Sequence, residues 1–492
     1  MVENKVNKIA IFSIMTVMFL AAIENMITTT IMPSVISSIG GLTLYPWLSV
    51  VFILLSTVTL PLYGKLSDMY GYKLFTIIAI LIFTIGSGLC GLSNSMIELI
   101  IYRGIQGIGA GGLITMSYIL FAIIFTDDKR AKMQSVLSAM WSIASLTGPV
   151  LGSIFDNTIG WRWAFYFNVP IGIIIIFLIS KFLYIKQNHT SNKIIDYRGI
   201  ILFSITMTLI IYPLLSFGDK NFNNQKMIIL FFGIVFLLFL IKHEKKFDEP
   251  ILPIREFINP SFGIPFMINF TAASCLFSTI NFLPLFIQGY IGDTSNQVGK
   301  ILMFLSLSWT TGSILSGNKI NKWGARNFVI YGSISMIIGF FILTTLKDFS
   351  YTKLIISCIF LGFGMGSISN TTLFIAQSNA DKNNIGKVTA GIQLFRNIGG
   401  TLGNSILGGI QITNFKYYIL PYKESLKELY ENPHKILGYN LRLSLPEQSL
   451  NILSNALADS IIKSITYACI ISIITLFLSL RLFQNKRSNI IT

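Results

Sequence analysis

Three ionisable residues stand inside long apolar runs of this 492-residue chain: Glu24, Arg103 and Arg396. A charge in a bilayer core is costly, and burial favours the neutral form of a carboxyl group. Glu24 lies roughly 15 residues, or ~22 Å at 1.5 Å per residue, from the N-terminal start of its run. It can hold a proton in one state and release it in another, which suits exchange of protons for cationic or polar compounds. The plainer alternative is a glutamate hydrogen-bonded within a helix bundle for packing alone. Arginine keeps its proton, so Arg103 and Arg396 each need a partner or a water-filled face. Snorkelling beside Glu98 is the alternative for Arg103. For Arg396, structural pairing with polar groups fits as well as contact with a substrate. Gln106, Gln288, Gln393 and Asn397 sit at similar depth, as cavity lining or as interhelix glue.

Other chemistries lack their residues. Cys90, Cys275, Cys358 and Cys469 occur singly, and His189, His243 and His434 are scattered, so neither a metal site nor a disulfide framework is indicated. The glycine run Gly107 to Gly112 lies inside an apolar segment with no preceding strand and no Gly-Lys-Ser/Thr, which argues against a nucleotide-phosphate loop. No cofactor is expected, and any uphill work must draw on an ion gradient.

These residues need a membrane scaffold. Hydrophobic residues make up 53% of the chain and charged residues 12%, about half the usual share for a soluble domain. Fourteen apolar runs are long enough to span a bilayer. They fall near 9–31, 45–64, 74–93, 97–125, 133–155, 163–184, 199–217, 226–241, 262–288, 298–317, 327–346, 353–375, 388–412 and 462–482. The first is no cleaved signal peptide, because it is long, carries Glu24 and lacks a small-residue cleavage site. The net charge of +16 suggests nucleic acid only until the charges are placed. With the N-terminus cytoplasmic, 23 of the 37 basic residues fall on the inside and 6 in the short outside loops. That bias puts both termini in the cytoplasm and leaves no polyanion site.

The chain repeats itself. Gly64-Lys-Leu-Ser-Asp68-Met-Tyr-Gly71-Tyr-Lys73 follows the second run, and Gly317-Asn-Lys-Ile-Asn321-Lys-Trp-Gly324-Ala-Arg326 follows the tenth. Each joins the second and third spans of a six-span set if spans 1–6 and 9–14 are the sets and spans 7 and 8 an insert. Transporters are commonly built from such repeats, with the substrate site between them. Asp68 is a gate candidate: it can cap a neighbouring helix N-terminus and pair with Lys73 or Lys65, the alternative being a solvated turn residue. Gly148 and Pro149 bend or loosen span 5. Asp156 ends that span toward the outside, as a proton access point or a simple interfacial acid.

The segment Gly64 to Lys73 resembles the signature loop of the major facilitator superfamily. Further stretches resemble its fourteen-helix branch of drug:proton antiporters. They are Glu24 followed nine residues later by Pro33, Tyr102-Arg103-Gly-Ile-Gln106-Gly107, Thr147-Gly148-Pro149-Val-Leu-Gly152 and Trp161-Arg162-Trp163-Ala-Phe-Tyr-Phe-Asn168-Val-Pro170. In the second half, Leu283-Pro284-Leu-Phe-Ile-Gln288 and Gln393-Leu-Phe-Arg396-Asn397-Ile-Gly399-Gly400 fit as well. Departures are Glu24 where Asp is common, Met69 and Tyr72 where Arg is frequent, and Ala144 and Ser153 where Gly is usual.

The resemblance implies an all-α membrane protein of the major facilitator fold. It would have 14 transmembrane helices in two pseudo-symmetric six-helix bundles plus two extra helices. The bundles would be residues 1–185 and 256–492, with linkers and the inserted helices in 186–255 and a long extracellular loop at 413–461. It implies a monomeric multidrug exporter of a bacterial plasma membrane, whose partners are protons, membrane lipids and small hydrophobic or cationic substrates. Arg103 would take part in proton transfer, and Gly148, Pro149 and Gly152 would form the antiport motif. A transporter of one metabolite, lipid or siderophore is the alternative.

Overall fold

The apolar runs fold as helices because a chain in lipid must satisfy its backbone polar groups internally. The computed structural model describes residues 7–40, 44–185, 196–214, 223–247, 250, 252, 254–292, 295–347, 350–381, 384–422 and 446–482. Among these there are helices and no strand. The first group is α1 (Lys8–Ile39), α2 (Tyr45–Tyr70), α3 (Tyr72–Leu92), α4 (Met96–Ile124), α5 (Asp127–Thr158), α6 (Trp163–Tyr166) and α7 (Asn168–Phe182). The second is α11 (Pro260–Leu285), α12 (Ser295–Trp323), α13 (Ala325–Thr344), α14 (Tyr351–Asn379), α15 (Ile385–Ile419) and α16 (Glu447–Arg481). Between them lie α8 (Tyr197–Leu214), α9 (Asn224–Lys246) and the short α10 (Ile254–Ile258).

Both groups pack by one pattern. In the first, α3 and α2 pack on α4, α1 on α5 and α3 on α7. In the second, α13 and α12 pack on α14, α11 on α15 and α13 on α16. The groups meet where α2 packs on α15 and α5 on α12, so each contributes equivalent helices to the joint. The helices α8 and α9 form a pair, and α8 also touches α2 and α15, with Trp47 stacked on Tyr212 at 5.4 Å.

Among the described residues, thirteen helices are long and apolar enough to cross a membrane. The run expected at 388–412 is α15, 35 residues long and largely buried, but Gln393, Arg396, Asn397, Asn404 and Gln411 keep it below that apolarity. The span expected at 163–184 is one of the thirteen, Trp163–Phe182, with its helix interrupted at Phe167 between α6 and α7. Pro170 explains the break, since it cannot donate to the Tyr166 carbonyl one turn earlier. The loop expected at 413–461 is shorter than its polar composition suggests. Helix α15 runs on to Ile419, and α16 starts at Glu447 because Leu453, Leu457 and Ile461 recur every four residues and are buried. Tyr417 and Tyr418 lie on α15, 5.9 Å apart, whereas Leu426, Leu429 and Tyr430 lie outside the described residues.

The loop end of the bundle, where the 64–73 turn lies, is closed. A single hydrophobic core there joins Ile14, Phe121 and Leu137 of the first group to Phe266, Leu373 and Val388 of the second. The rest of the second group's core, around Phe340, Met365 and Phe415, contains residues of that group alone.

Candidate functional site

Helix α1 carries Glu24 inward because both of its flanks are apolar and buried, with Ile23 and Ile27 packed in one cluster with Ala144 and Phe165. Helix α4 reaches it because glycines let α4 approach its neighbours. A Cβ at Gly107 would stand 2.7 Å from the Phe52 carbonyl oxygen, and one at Gly109 would stand 2.3 Å from the Phe83 nitrogen. This close packing brings Arg103 to Glu24.

The result is a closed polar cluster. Arg103 Nη1 donates to Glu24 Oε1 at 2.7 Å and to Gln106 Oε1 at 2.7 Å. Asn168 Nδ2 donates to Glu24 Oε2 at 2.5 Å, and Thr28 Oγ1 donates to Glu24 Oε1 at 3.1 Å. The Ser87 hydroxyl accepts from Gln106 at 3.1 Å and from Asn168 at 2.9 Å, and itself donates to the Phe165 carbonyl. The guanidinium lies 4.0 Å from the centre of the Phe52 ring, a desolvated cation–π contact. Glu24 is 1% exposed and Arg103 2%. Every Glu24 acceptor is thus used, and the carboxylate is matched by a fixed cation. A buried pair of this kind holds only while both partners are present. Two atoms stay unsatisfied, Arg103 Nε and Asn168 Oδ1.

Arg103 therefore does not snorkel beside Glu98, which instead accepts from the Asn94 nitrogen at 2.9 Å while Ser95 caps the helix start. Asn168, Ser87, Thr28 and Phe52 were not picked out by sequence reasoning. Asn168 had a signal, an amide in an otherwise apolar stretch; small hydroxyl residues are too common in such helices to stand out.

The other expected site residues lie elsewhere. Asp156 accepts from Ser34 Oγ at 2.6 Å, ten residues or about 15 Å along α1 from Glu24. Gln288 is half-buried in a π-helical turn, Phe286–Ile291, that extends α11. Gln393 and Arg396 are buried and Asn397 half-buried on α15. Among the described residues, no hydrogen bond or ion pair joins Gln393, Arg396 or Asn397 to Glu24 or Arg103. Among the described residues, Gln393 Oε1 and Arg396 Nε find no hydrogen-bond partner.

The repeated turns occupy equivalent corners. Gly71 (φ 121°) and Gly324 (φ 79°) both take a left-handed backbone, which suits glycine. Gly64 lies so near α15 that a Cβ would meet Ala390 Cβ and the Gly386 oxygen at 2.7 Å; one at Gly317 would meet the Ala131 oxygen of α5 at 2.5 Å. Lys73 Nζ donates to the Ser180 carbonyl of α7 at 2.6 Å, and Arg326 donates to the Leu480 carbonyl of α16 at 3.1 Å. Each base thus binds the end of the last helix of its own group.

Asp68 breaks the symmetry. It accepts from the backbone nitrogens of Gly386 and Lys387 at 3.1 Å each, and from Tyr72 Oη at 2.9 Å. A carboxylate at a helix N-terminus is favourable, and here it sits on the opposite group. Lys73, one expected partner, is used elsewhere. Asn321 is exposed. Around Asp68 the seal includes Gln134 bonded to Gln377, which donates to Thr389 at 2.9 Å, and Asn370 reaching the Ala131 carbonyl at 3.4 Å.

Gly148 and Gly152 of α5 pack closely on the helix that carries Glu24. A Cβ at Gly148 would stand 2.4 Å from Met26 Cβ, and one at Gly152 would stand 3.0 Å from Thr30 Cβ. Pro149 is exposed on the other face of α5.

Comparison with known proteins agrees with this arrangement. The chain is 34% identical over 435 residues to the multidrug transporter protein MdtP of Bacillus subtilis, covering 86% of this chain and 80% of that protein. It is 28% identical to the multidrug resistance protein 3 of the same organism, covering 96% and 93%. The crystal structure of the human organic anion transporter MFSD10 superposes with a TM-score of 0.67 at 14% identity, covering 96% and 99%. The profile of the Major Facilitator Superfamily matches residues 14–404, and with most of its length so covered, the chain belongs to that superfamily of membrane transporters.

Proposed function

We propose that this protein is a proton-coupled antiporter that exports hydrophobic or cationic toxic compounds across a bacterial plasma membrane by alternating access. The observation that carries the reading is the buried Glu24–Arg103 pair with its Asn168 donor. Protonation of Glu24 cancels the charge that holds Arg103, so proton arrival and helix movement become one event. Deprotonation restores the pair. Moving one charge across the membrane is worth about 2.3 kcal/mol per 100 mV, enough to drive uphill export without a cofactor.

In this reading α15 also crosses the membrane, as the thirteenth of fourteen spans, and both termini and the 64–73 turn are cytoplasmic. Residues 1–185 and 256–492 are the rocking halves, with the α8–α9 pair inserted between them. The closed loop end then corresponds to a state sealed toward the cytoplasm. The protein works as a monomer in this reading, since the joint and the core that crosses it are formed within one chain. The names of the two Bacillus subtilis relatives support drug-like substrates.

The test is uptake into inverted vesicles under an imposed proton gradient, with a panel of dyes and drugs. Wild type takes up several of them, and Glu24→Gln, expressed to the same level, takes up none. Full uptake by Glu24→Gln would remove the coupling role. Saturable uptake of a single metabolite would point instead to a dedicated exporter.

A further inference from the structure

An apolar cavity of about 360 Å³ lies between the inserted helices and the second group. Helix α8 lines it with Phe203 and Met207, α9 with Leu240, α10 with Phe257, and α15 with Leu394 and Phe395. Its volume is in the range of small-molecule sites, yet apart from Lys245 its lining is apolar, so it has no polar groups with which to orient a polar guest. Lys245, exposed in the last turn of α9, lines it, and Lys246 follows in the same turn. His243, on the same turn, is committed to Asp196 at 2.8 Å. Leu237 lines the cavity two turns inward from Lys245, which gives about 12 Å of apolar depth along α9. Half the hydrocarbon core of a bilayer is about 15 Å deep. The site thus presents a cation at the membrane surface and an apolar slot running toward the midplane.

We infer that this cavity is a binding site for an anionic phospholipid of the cytoplasmic leaflet, with one acyl chain between α8, α9 and α15 and the phosphate at Lys245. This goes beyond the transport reading and rests on it only for the orientation of the loop end toward the cytoplasm. Basic pockets between membrane helices on that side are a known way to hold acidic headgroups. The lipid would brace α15 about two turns beyond the Gly386 and Lys387 nitrogens that Asp68 holds. It would also fill the slot between the inserted pair and α15.

The experiment uses the full chain, purified and stripped of lipid. Phosphatidylglycerol or phosphatidylcholine with identical acyl chains is titrated back, and bound lipid is counted by native mass spectrometry. Wild type is expected to retain phosphatidylglycerol over phosphatidylcholine. Lys245→Ala changes an exposed side chain and should lower phosphatidylglycerol occupancy about fivefold, the worth of one Lys near an acidic surface. Leu237→Trp fills the slot and should reduce retention of both lipids. A photoactivatable phosphatidylglycerol gives a check that needs no variant: its crosslinks should fall on α8, α9 or α15 around the slot. Equal retention of the two lipids, unchanged retention in Lys245→Ala, crosslinks elsewhere, or displacement by an exported dye would each overturn the assignment. Lipid is counted without transport, so this site and the antiport reading can fail separately.

Discussion

Asp68 and Lys387 stand 319 residues apart in sequence, yet the carboxylate of one accepts the backbone N–H of the other at 3.1 Å across the joint between the two helix groups. The same carboxylate takes Gly386 on its second oxygen. One side chain thus caps a helix that belongs to the opposite half. Asp68→Asn keeps one acceptor oxygen and loses the charge, so the closed end should open more readily. Transport turnover should fall severalfold while substrate binding to the purified protein is retained. Unchanged turnover would show that the cap is incidental.

Gly64 and Gly317 make the same joint close on both sides. Valine at either position forces a Cβ into backbone of the other half, at 2.7 Å and 2.5 Å respectively. Overpacking of this kind costs about 1–3 kcal/mol, and here it falls only on the closed state. Either variant should therefore make engineered cysteines at the loop end react faster with a water-soluble thiol reagent. Equal labelling rates in wild type and variants would count against it.

Removing one partner of a buried ion pair leaves the other uncompensated, at a cost of about 3–5 kcal/mol. Arg103→Ala alone should lower the melting temperature of the purified protein more than Arg103→Ala combined with Glu24→Gln. If the double variant melts lower than the single, the pair is not the dominant interaction of Arg103.

Asn168 is the only described side chain bonded to Glu24 Oε2. Asn168→Ala should cut proton-driven uptake by about tenfold or more, since hydrogen bonds to charged groups contribute roughly 1.5–3 kcal/mol. Asn168→Asp, which sets a second acid against Glu24, should be no better. Wild-type uptake by either variant would leave Asn168 a packing residue.

Gly148→Leu should separate α5 from α1 beside Glu24, because even a Cβ there meets Met26 Cβ at 2.4 Å. Loss of coupled uptake with intact expression is expected. Gly40→Ala is a control with open space around it, its strain being confined to a positive φ at a helix end.

Much of this was legible in the sequence, and the rest had a common obstacle. Glu24 and Arg103 stand out because apolar runs tolerate so few charges, and the turns at 64–73 and 317–326 announce a repeat. Their partnerships were not legible. Glu24 meets Arg103 only because α1 and α4 cross, and Asp68 meets α15 only because the two groups dock; neither follows from spacing along one helix. Asn168 lay in a recognisable stretch, but an amide does not reveal whether it faces a carboxylate or a carbonyl. Helix limits were hardest where polar residues are buried, as in α15 and at the start of α16, since hydropathy treats Arg396 or Ser460 as if it faced lipid.

The partners of Asp68 are backbone amides, and this has a consequence for how the protein tolerates mutation. Every residue but proline supplies the same N–H, so position 387 can change without losing its donor, whereas at 386 even a Cβ would meet the Asp68 carboxylate and the Gly64 oxygen at 2.5 Å. Position 68 has no such freedom, because only a short acceptor side chain reaches across. The contact is therefore robust to genetic drift at 387 and fragile at 68 and 386. In a mutational scan of the joint, substitutions at 68 should be selected against for their charge, and those at 386 for their bulk.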